Sequence, residues 1–341
     1  MNTKTLDYFK RLEGIATILF SKEIEDCELQ EAIKSYDLLL RELSPLNFDS
    51  PEQQQNLELK SGVAIASKWA ASCAQDTYRT KRFCQGIYNA VTDLLIKRNK
   101  PVEILYAGTG PFATLALPLL TKFSSEEIQL TLLEVNPASH QSAFKIIEKL
   151  GLQRFIKEAI QCDATKINLV HPETIDIIVV ECLQHALARE PQVEITENLV
   201  KQTSKDVILI PEQIDLAIAV CSNQKLGESK STDDNDISNF EFTERVFSLN
   251  KDLFLNKQSF QNPRISFTPK TVLLPKAFNN TQITLAITTT IKIYKEEIVS
   301  RSESGLTAPL YVGVFDGKKE FNQLIATYIT GTSPHLEVLV N

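Results

Sequence analysis

The sequence predicts an α/β fold in three parts: an N-terminal helical segment over 1–100, a doubly wound parallel sheet over 101–211, and a C-terminal antiparallel, barrel-like β domain over 212–341. Three observations predict it. Apolar residues recur at helical spacing in the first part, strands and helices alternate from Val102 onward, and after Pro211 apolar and polar residues alternate with period two.

In the first part Leu12, Ile15, Ala16, Leu19 and Phe20 share one helical face, and Leu39, Leu40 and Leu43 share another before a break at Ser44-Pro45. A third, Ala-rich helical stretch is expected from about Ser61 to Lys97. The strand-like Val102-Glu-Ile-Leu-Tyr106 then runs into Ala107-Gly108-Thr109-Gly110, and an apolar helix is expected from Pro111 to Leu120. A strand at 130–134, a helix at 137–150, a short strand at 155–161 and the apolar strand at 175–180 follow. Such alternation implies a parallel sheet covered on both faces. Beyond Pro211, residues 215–220, 282–294, 310–315 and 336–340 read as antiparallel strands, and the polar stretch from Ser222 to Asn239 reads as a loop.

Length and composition are those of a soluble globular protein with room for two layered domains. No run of eighteen apolar residues occurs and the N-terminus has no signal-peptide pattern, so a cytoplasmic location with no membrane partner is expected. The six cysteines are scattered with no C-x-x-C pair, which argues for buried free thiols, and the four histidines show no ligand spacing, so no metal is expected. A net charge of −7 disfavours a nucleic-acid partner and favours a cationic one.

The chemistry concentrates between Val102 and Glu190. Glycines at the end of a strand let backbone approach a ligand without an intervening Cβ, so Ala107, Gly108, Thr109 and Gly110 are candidate cofactor contacts. The full dinucleotide fingerprint is missing, because Ala113 stands where its last glycine would be, and there is no phosphate-loop lysine. Glu134 closes the second strand, where a carboxylate can accept both hydroxyls of a ribose. A Rossmann-like half with an acidic ribose residue and no phosphate cradle fits S-adenosyl-L-methionine. Two further carboxylates, Glu181 and Glu190, bracket the loop after the strand at 175–180. Two carboxylates on one loop suit a guanidinium or an amine, which they can hold while a nitrogen is aimed at a sulfonium methyl. His185 lies between them, where an imidazole could remove a proton from a substrate group.

With these residues in place the chain resembles the protein arginine methyltransferases over about 73–220. Asp76-Thr-Tyr-Arg79-Thr80 resembles the family's D-x-x-R-T, whose arginine binds the cofactor carboxylate, and Glu134 falls at its ribose-binding acid. Residues 176–190 resemble the double-E loop, with glutamates at Glu181 and Glu190, and 207–216 resemble the strand that leads into the β barrel. The resemblance implies that Arg79 and Glu181 contact the cofactor, with Asp163 and Cys162 near the adenine.

The departures are specific. Tyr106 replaces the acidic residue before the glycines and Phe112 the third glycine, while Ala70 and Cys73 replace a histidine and a methionine. No His-Trp pair occurs, and Phe267-Thr268 stands loosely in its place. The segment after Cys221 looks too short and polar for the family's dimerisation arm, although a homodimer remains possible. Tyr78, Tyr88 and Trp69 read as core or pocket aromatics.

The leading reading is therefore an S-adenosyl-L-methionine-dependent N-methyltransferase acting on a small or peptide-like cationic acceptor. Its alternatives are methylation of protein arginine and a non-catalytic scaffold. A short-chain dehydrogenase ranks last, because no Tyr-x-x-x-Lys pair follows the second strand.

Overall fold

The computed structural model describes residues 2–98, 100–222, 240–255, 267–273, 282–316 and 323–340. Two amphipathic helices, α1 (Thr3–Leu19) and α2 (Asp26–Leu43), bury the apolar faces that the sequence marks out, with Leu12, Leu19, Leu39, Leu40 and Leu43 fully enclosed. The rest of the first part is less uniform than helical spacing suggests. A hairpin of β1 (Leu57–Leu59) and β2 (Gly62–Ala64) comes first, and the expected single helix is two, α3 (Ser67–Ser72) and α4 (Thr77–Lys97), separated by a 3-10 turn at Cys73–Gln75. Asp76 explains the second start: its carboxylate accepts from the Arg79 N–H at 3.1 Å and caps α4.

The central sheet has five parallel strands in the order β5-β4-β3-β6-β7, with β3 (Val102–Ala107), β4 (Ile128–Glu134), β5 (Ile156–Gln161), β6 (Ile177–Val180) and β7 (Ile208–Ile210). β6 is buried at every position, as a strand covered on both faces must be. Helix α5 (Pro137–Leu150) has a strong start and stop: Asn136 caps the N–H groups of Ala138 and Ser139, Pro137 is first in the helix, and Gly151 ends it in the left-handed region. Helix α6 (Gln192–Gln202) completes this layer.

One expected element is absent. From Gly110 to Ala116 the chain makes successive turns, and only a 3-10 segment at Leu117–Thr121 stands in place of the helix expected over 111–120. Ala113 has a φ of 48°, which interrupts a right-handed run, and Pro118 cannot donate to the preceding turn.

The C-terminal part is antiparallel. β8 (Gln213–Ser222), β9 (Glu241–Asn250), β11 (Gln282–Tyr294), β12 (Glu297–Val299) and β13 (Leu310–Asp316) form one sheet, and β10 (Lys270–Leu273), β14 (Gln323–Ile329) and β15 (His335–Val340) another; α7 (Asp252–Leu255) follows β9. Phe247, Phe267 and Tyr328 stack between the two sheets with centroids 4.5 to 5.8 Å apart. The loop expected at 222–239 lies, beyond Ser222, outside the described residues. Helix α4 packs on β11, where a Cβ at Gly86 would stand 2.5 Å from Ile293 Cγ2, so this crossing requires glycine. No helix among the described residues is long and apolar enough to cross a membrane. All six cysteines are free, but Cys27 is exposed, because α2 turns it away from the core.

Candidate active site

The strand order places β3 between β4 and β6, so the chain leaves the middle of the sheet in opposite directions and a crevice opens at the carboxyl ends of these strands. A cavity opens there, where sheets of this kind build their small-molecule sites. Its lining includes Tyr106, Gly108, Thr109 and Gly110 from the end of β3, Glu134 from β4 and Glu181 from β6. Cys162 and Asp163 join them after β5, as do Arg79 and Glu190. Of the candidate site residues, Ala107 and His185 do not line it. Ala107 is the last buried residue of β3, and its carbonyl receives the Glu181 N–H at 3.1 Å.

Gly108 is fixed by contact as well as by conformation. It has a φ of 81°, and a Cβ there would come within 2.2 Å of Cys182 Sγ and 2.6 Å of the Glu181 carbonyl oxygen. Gly108→Ala is expected to destabilise the fold by roughly 1–3 kcal/mol and to weaken any ligand bound in the cavity, because the β3 and β6 ends must part. Chemical denaturation checks the first effect; an unchanged midpoint would mean that the two strand ends are not this close.

Glu134 is 8% exposed, and its two oxygens receive the N–H groups of Asn136 and Gly110, each at 2.8 Å. Burial raises its carboxyl above the ordinary value, and the two amides offset part of that. Each oxygen keeps a lone pair for a further donor. Asp163 accepts from Thr165 N at 3.0 Å, from Thr165 Oγ1 at 2.6 Å and from the Lys166 ammonium. Partial burial raises its carboxyl, but these donors outweigh that and hold it below the ordinary value.

Arg79 is buried and forms a two-point pair with Glu181: Nε donates to Oε1 at 2.8 Å and Nη2 to Oε2, while Nη1 donates to the Cys73 carbonyl at 3.0 Å. These bonds use three of the five guanidinium N–H groups, leaving two for a further anion. Glu190 is 7% exposed, and its carboxyl has no hydrogen-bond or ion-pair partner among the described residues. Burial, with the neighbouring Glu181 second, pushes its carboxyl up to about 8. The two loop glutamates thus differ: Glu181 is held by Arg79, and Glu190 is open. His185 instead lines an adjoining cleft with Trp69, Arg189 and Glu190, where partial burial pulls its imidazole below the usual value.

The departures at the glycine loop also separate. Tyr106 lines the cavity, whereas Phe112 turns away and packs edge-on against Phe48 with centroids 5.6 Å apart. Tyr78 bonds Asp26 on the surface and Tyr88 stacks on Phe20, so neither lines the cavity. Phe267 lies in the aromatic stack of the β domain.

The loop from Glu181 to Glu190 is strained. Ala186, Leu187 and Arg189 all have φ between 53° and 68°, a region that side chains other than glycine rarely occupy. Distant elements hold it: Thr289 Oγ1 accepts from Ala186 N at 2.9 Å, the Tyr328 hydroxyl donates to the Leu187 carbonyl at 2.7 Å, and Arg189 N donates to the Pro334 carbonyl at 2.8 Å. The hairpin adds Val63 N to the Arg189 carbonyl at 2.8 Å. Asp76 performs a similar task for Arg79, because its second oxygen accepts from Ser304 Oγ and Gly305 N. The β domain therefore positions both halves of the acidic site. Thr289, Tyr328, Pro334 and Ser304 carry no motif, and local sequence offers no signal for them.

Known structures share this architecture. The Trypanosoma brucei PRMT1 enzyme-prozyme heterotetrameric complex with AdoHcy aligns with a TM-score of 0.51 at 12% identity, over 79% of this chain and 96% of that one. The uniquely open protein arginine methyltransferase 10 of Arabidopsis thaliana aligns with a TM-score of 0.52 at 10% identity, over 79% and 95%. The chain has the fold of these methyltransferases. No family model matches the sequence. A curated protein, the AP-3 complex subunit delta of Eremothecium gossypii, is 31% identical over 161 residues, which is 47% of this chain and only 18% of that protein's length.

Proposed function

We propose that this chain is an S-adenosyl-L-methionine-dependent methyltransferase that N-methylates a guanidine or amine. The observation that carries the reading is the buried Arg79–Glu181 pair beside the unpartnered Glu190, at the switch point of a parallel sheet with a carboxylate at the end of β4. The residues fit the cofactor by their chemistry. Glu134 and the Gly108–Gly110 backbone suit a ribose, Cys162 and Asp163 an adenine edge, and the two free N–H groups of Arg79 the amino-acid carboxylate.

When bound, the cofactor supplies an electrophilic methyl group. The acceptor nitrogen forms the new N–C bond, the C–S electron pair stays on sulfur, and a guanidinium acceptor loses one proton to a carboxylate or water. Glu190 holds the acceptor cation, and the partly enclosed cavity limits water around the developing bond. Glu181, already paired, orients Arg79 and can share a second contact with the acceptor.

Calorimetric titration with S-adenosylmethionine, S-adenosylhomocysteine and 5′-methylthioadenosine tests this. The first two should bind, and methylthioadenosine, which lacks the amino-acid end, should bind at least about tenfold more weakly. Absence of binding by either intact ligand would remove the reading and favour a scaffold.

A further inference from the structure

A second cleft adjoins the cavity at Glu190, and Cys73, Leu183 and Glu190 line both. Trp69, half exposed, and His185 form part of its walls, and Arg189 lines it beside Glu190. A carboxyl group and a guanidinium thus share the cleft without bonding: neither the Glu190 carboxyl nor the Arg189 guanidinium has a hydrogen-bond or ion-pair partner among the described residues.

The backbone holds this part of the loop in place. Arg189 has its N–H tied to Pro334 and its carbonyl tied to Val63, with φ held at 68°, so the root of its side chain is fixed while the rest stays exposed. Glu190 follows at once but is buried. The loop therefore presents an inner carboxyl group and an outer guanidinium to one cleft, with the Trp69 ring as apolar wall.

We infer that the acceptor is amino-acid-like: its guanidine or amine end faces Glu190, and a carboxylate on the same small molecule pairs with Arg189. This rests on the methyltransferase reading. It accounts for a cationic residue on the acceptor side of an otherwise acidic site, which a purely cationic substrate would not favour. A guanidinium matches a carboxylate at two points, so the contact gives orientation as well as affinity.

The test titrates L-arginine and agmatine, which differ only in the carboxylate, into protein saturated with S-adenosylhomocysteine. L-Arginine is expected to bind about tenfold tighter than agmatine. In Arg189→Gln the ratio should fall to near one, and Arg189→Lys should keep part of it. Equal binding in the wild type, tighter agmatine, a ratio unmoved by Arg189→Gln, or no binding of either compound overturns the inference. Binding of S-adenosylhomocysteine is measured first on each protein, so failure of the methyltransferase reading or of folding is seen separately.

Discussion

Arg79→Ala is expected to destabilise the folded chain by about 3–5 kcal/mol and to abolish cofactor binding, because it leaves a buried carboxylate with no counter-charge. The side chains of Arg79 and Glu181 are only 4% and 9% exposed, so water cannot replace the lost partner. Burial works against the charged guanidinium, and the pairing with Glu181 more than offsets it, leaving Arg79 firmly protonated. The Cys73 carbonyl loses its donor as well. Arg79→Lys should recover only part of the loss, since an ammonium cannot span both oxygens of Glu181. Glu181→Gln in the Arg79→Ala background should restore stability relative to Arg79→Ala alone, because the stranded charge is gone. Urea denaturation of the wild type, Arg79→Ala, Glu181→Gln and the double variant gives the coupling directly. A loss below about 1 kcal/mol in Arg79→Ala would place the pair in the class of solvated surface bridges and remove Arg79 as the organiser of the site.

The sequence makes the sheet readable because its signals are local. Apolar runs at 102–106, 130–133 and 177–180 must be buried on both faces, and polar residues at their carboxyl ends, Glu134 and Glu181, fall where such sheets build sites. Terminal signals also suffice for α5, with Asn136, Pro137 and Gly151 as punctuation. What could not be read is set over distance. Ala113 adopts a left-handed conformation that its identity does not announce, so the expected helix at 111–120 gives way to turns. The Arg79–Glu181 pair joins residues 102 apart, and the clamps from Thr289 and Tyr328 reach across 103 and 141 residues. A loop with two glutamates therefore reads as two equivalent carboxylates, whereas folding commits one to an arginine and leaves the other open.

That difference sets the second large effect, the dependence of stability on pH. Burial beside Glu181 raises the Glu190 carboxyl from its ordinary 4.5 to about 8 in the folded chain. Below about pH 4.5 Glu190 is protonated in both states and contributes nothing to the slope. Between there and about pH 8 the folded chain keeps a proton that the unfolded chain has released, so raising the pH favours unfolding. At about 1.4 kcal/mol for each pH unit, the whole window from 4.5 to about 8 amounts to on the order of 5 kcal/mol. Glu190→Gln has the same shape and cannot ionise, so its stability should match the wild type near pH 5 and exceed it near pH 8. Thermal or urea midpoints of both proteins across that range measure the effect; parallel curves would mean that Glu190 ionises as an ordinary carboxyl does. The same linkage reaches the acceptor. A cation seated against Glu190 favours the carboxylate, so its binding near pH 7 should release a proton to the buffer, and the calorimetric enthalpy should change with the buffer's own heat of ionisation. In Glu190→Gln that dependence should vanish. The open glutamate would then be a group kept neutral by burial until its cation arrives, which limits the cost of an empty site and couples acceptor binding to charge.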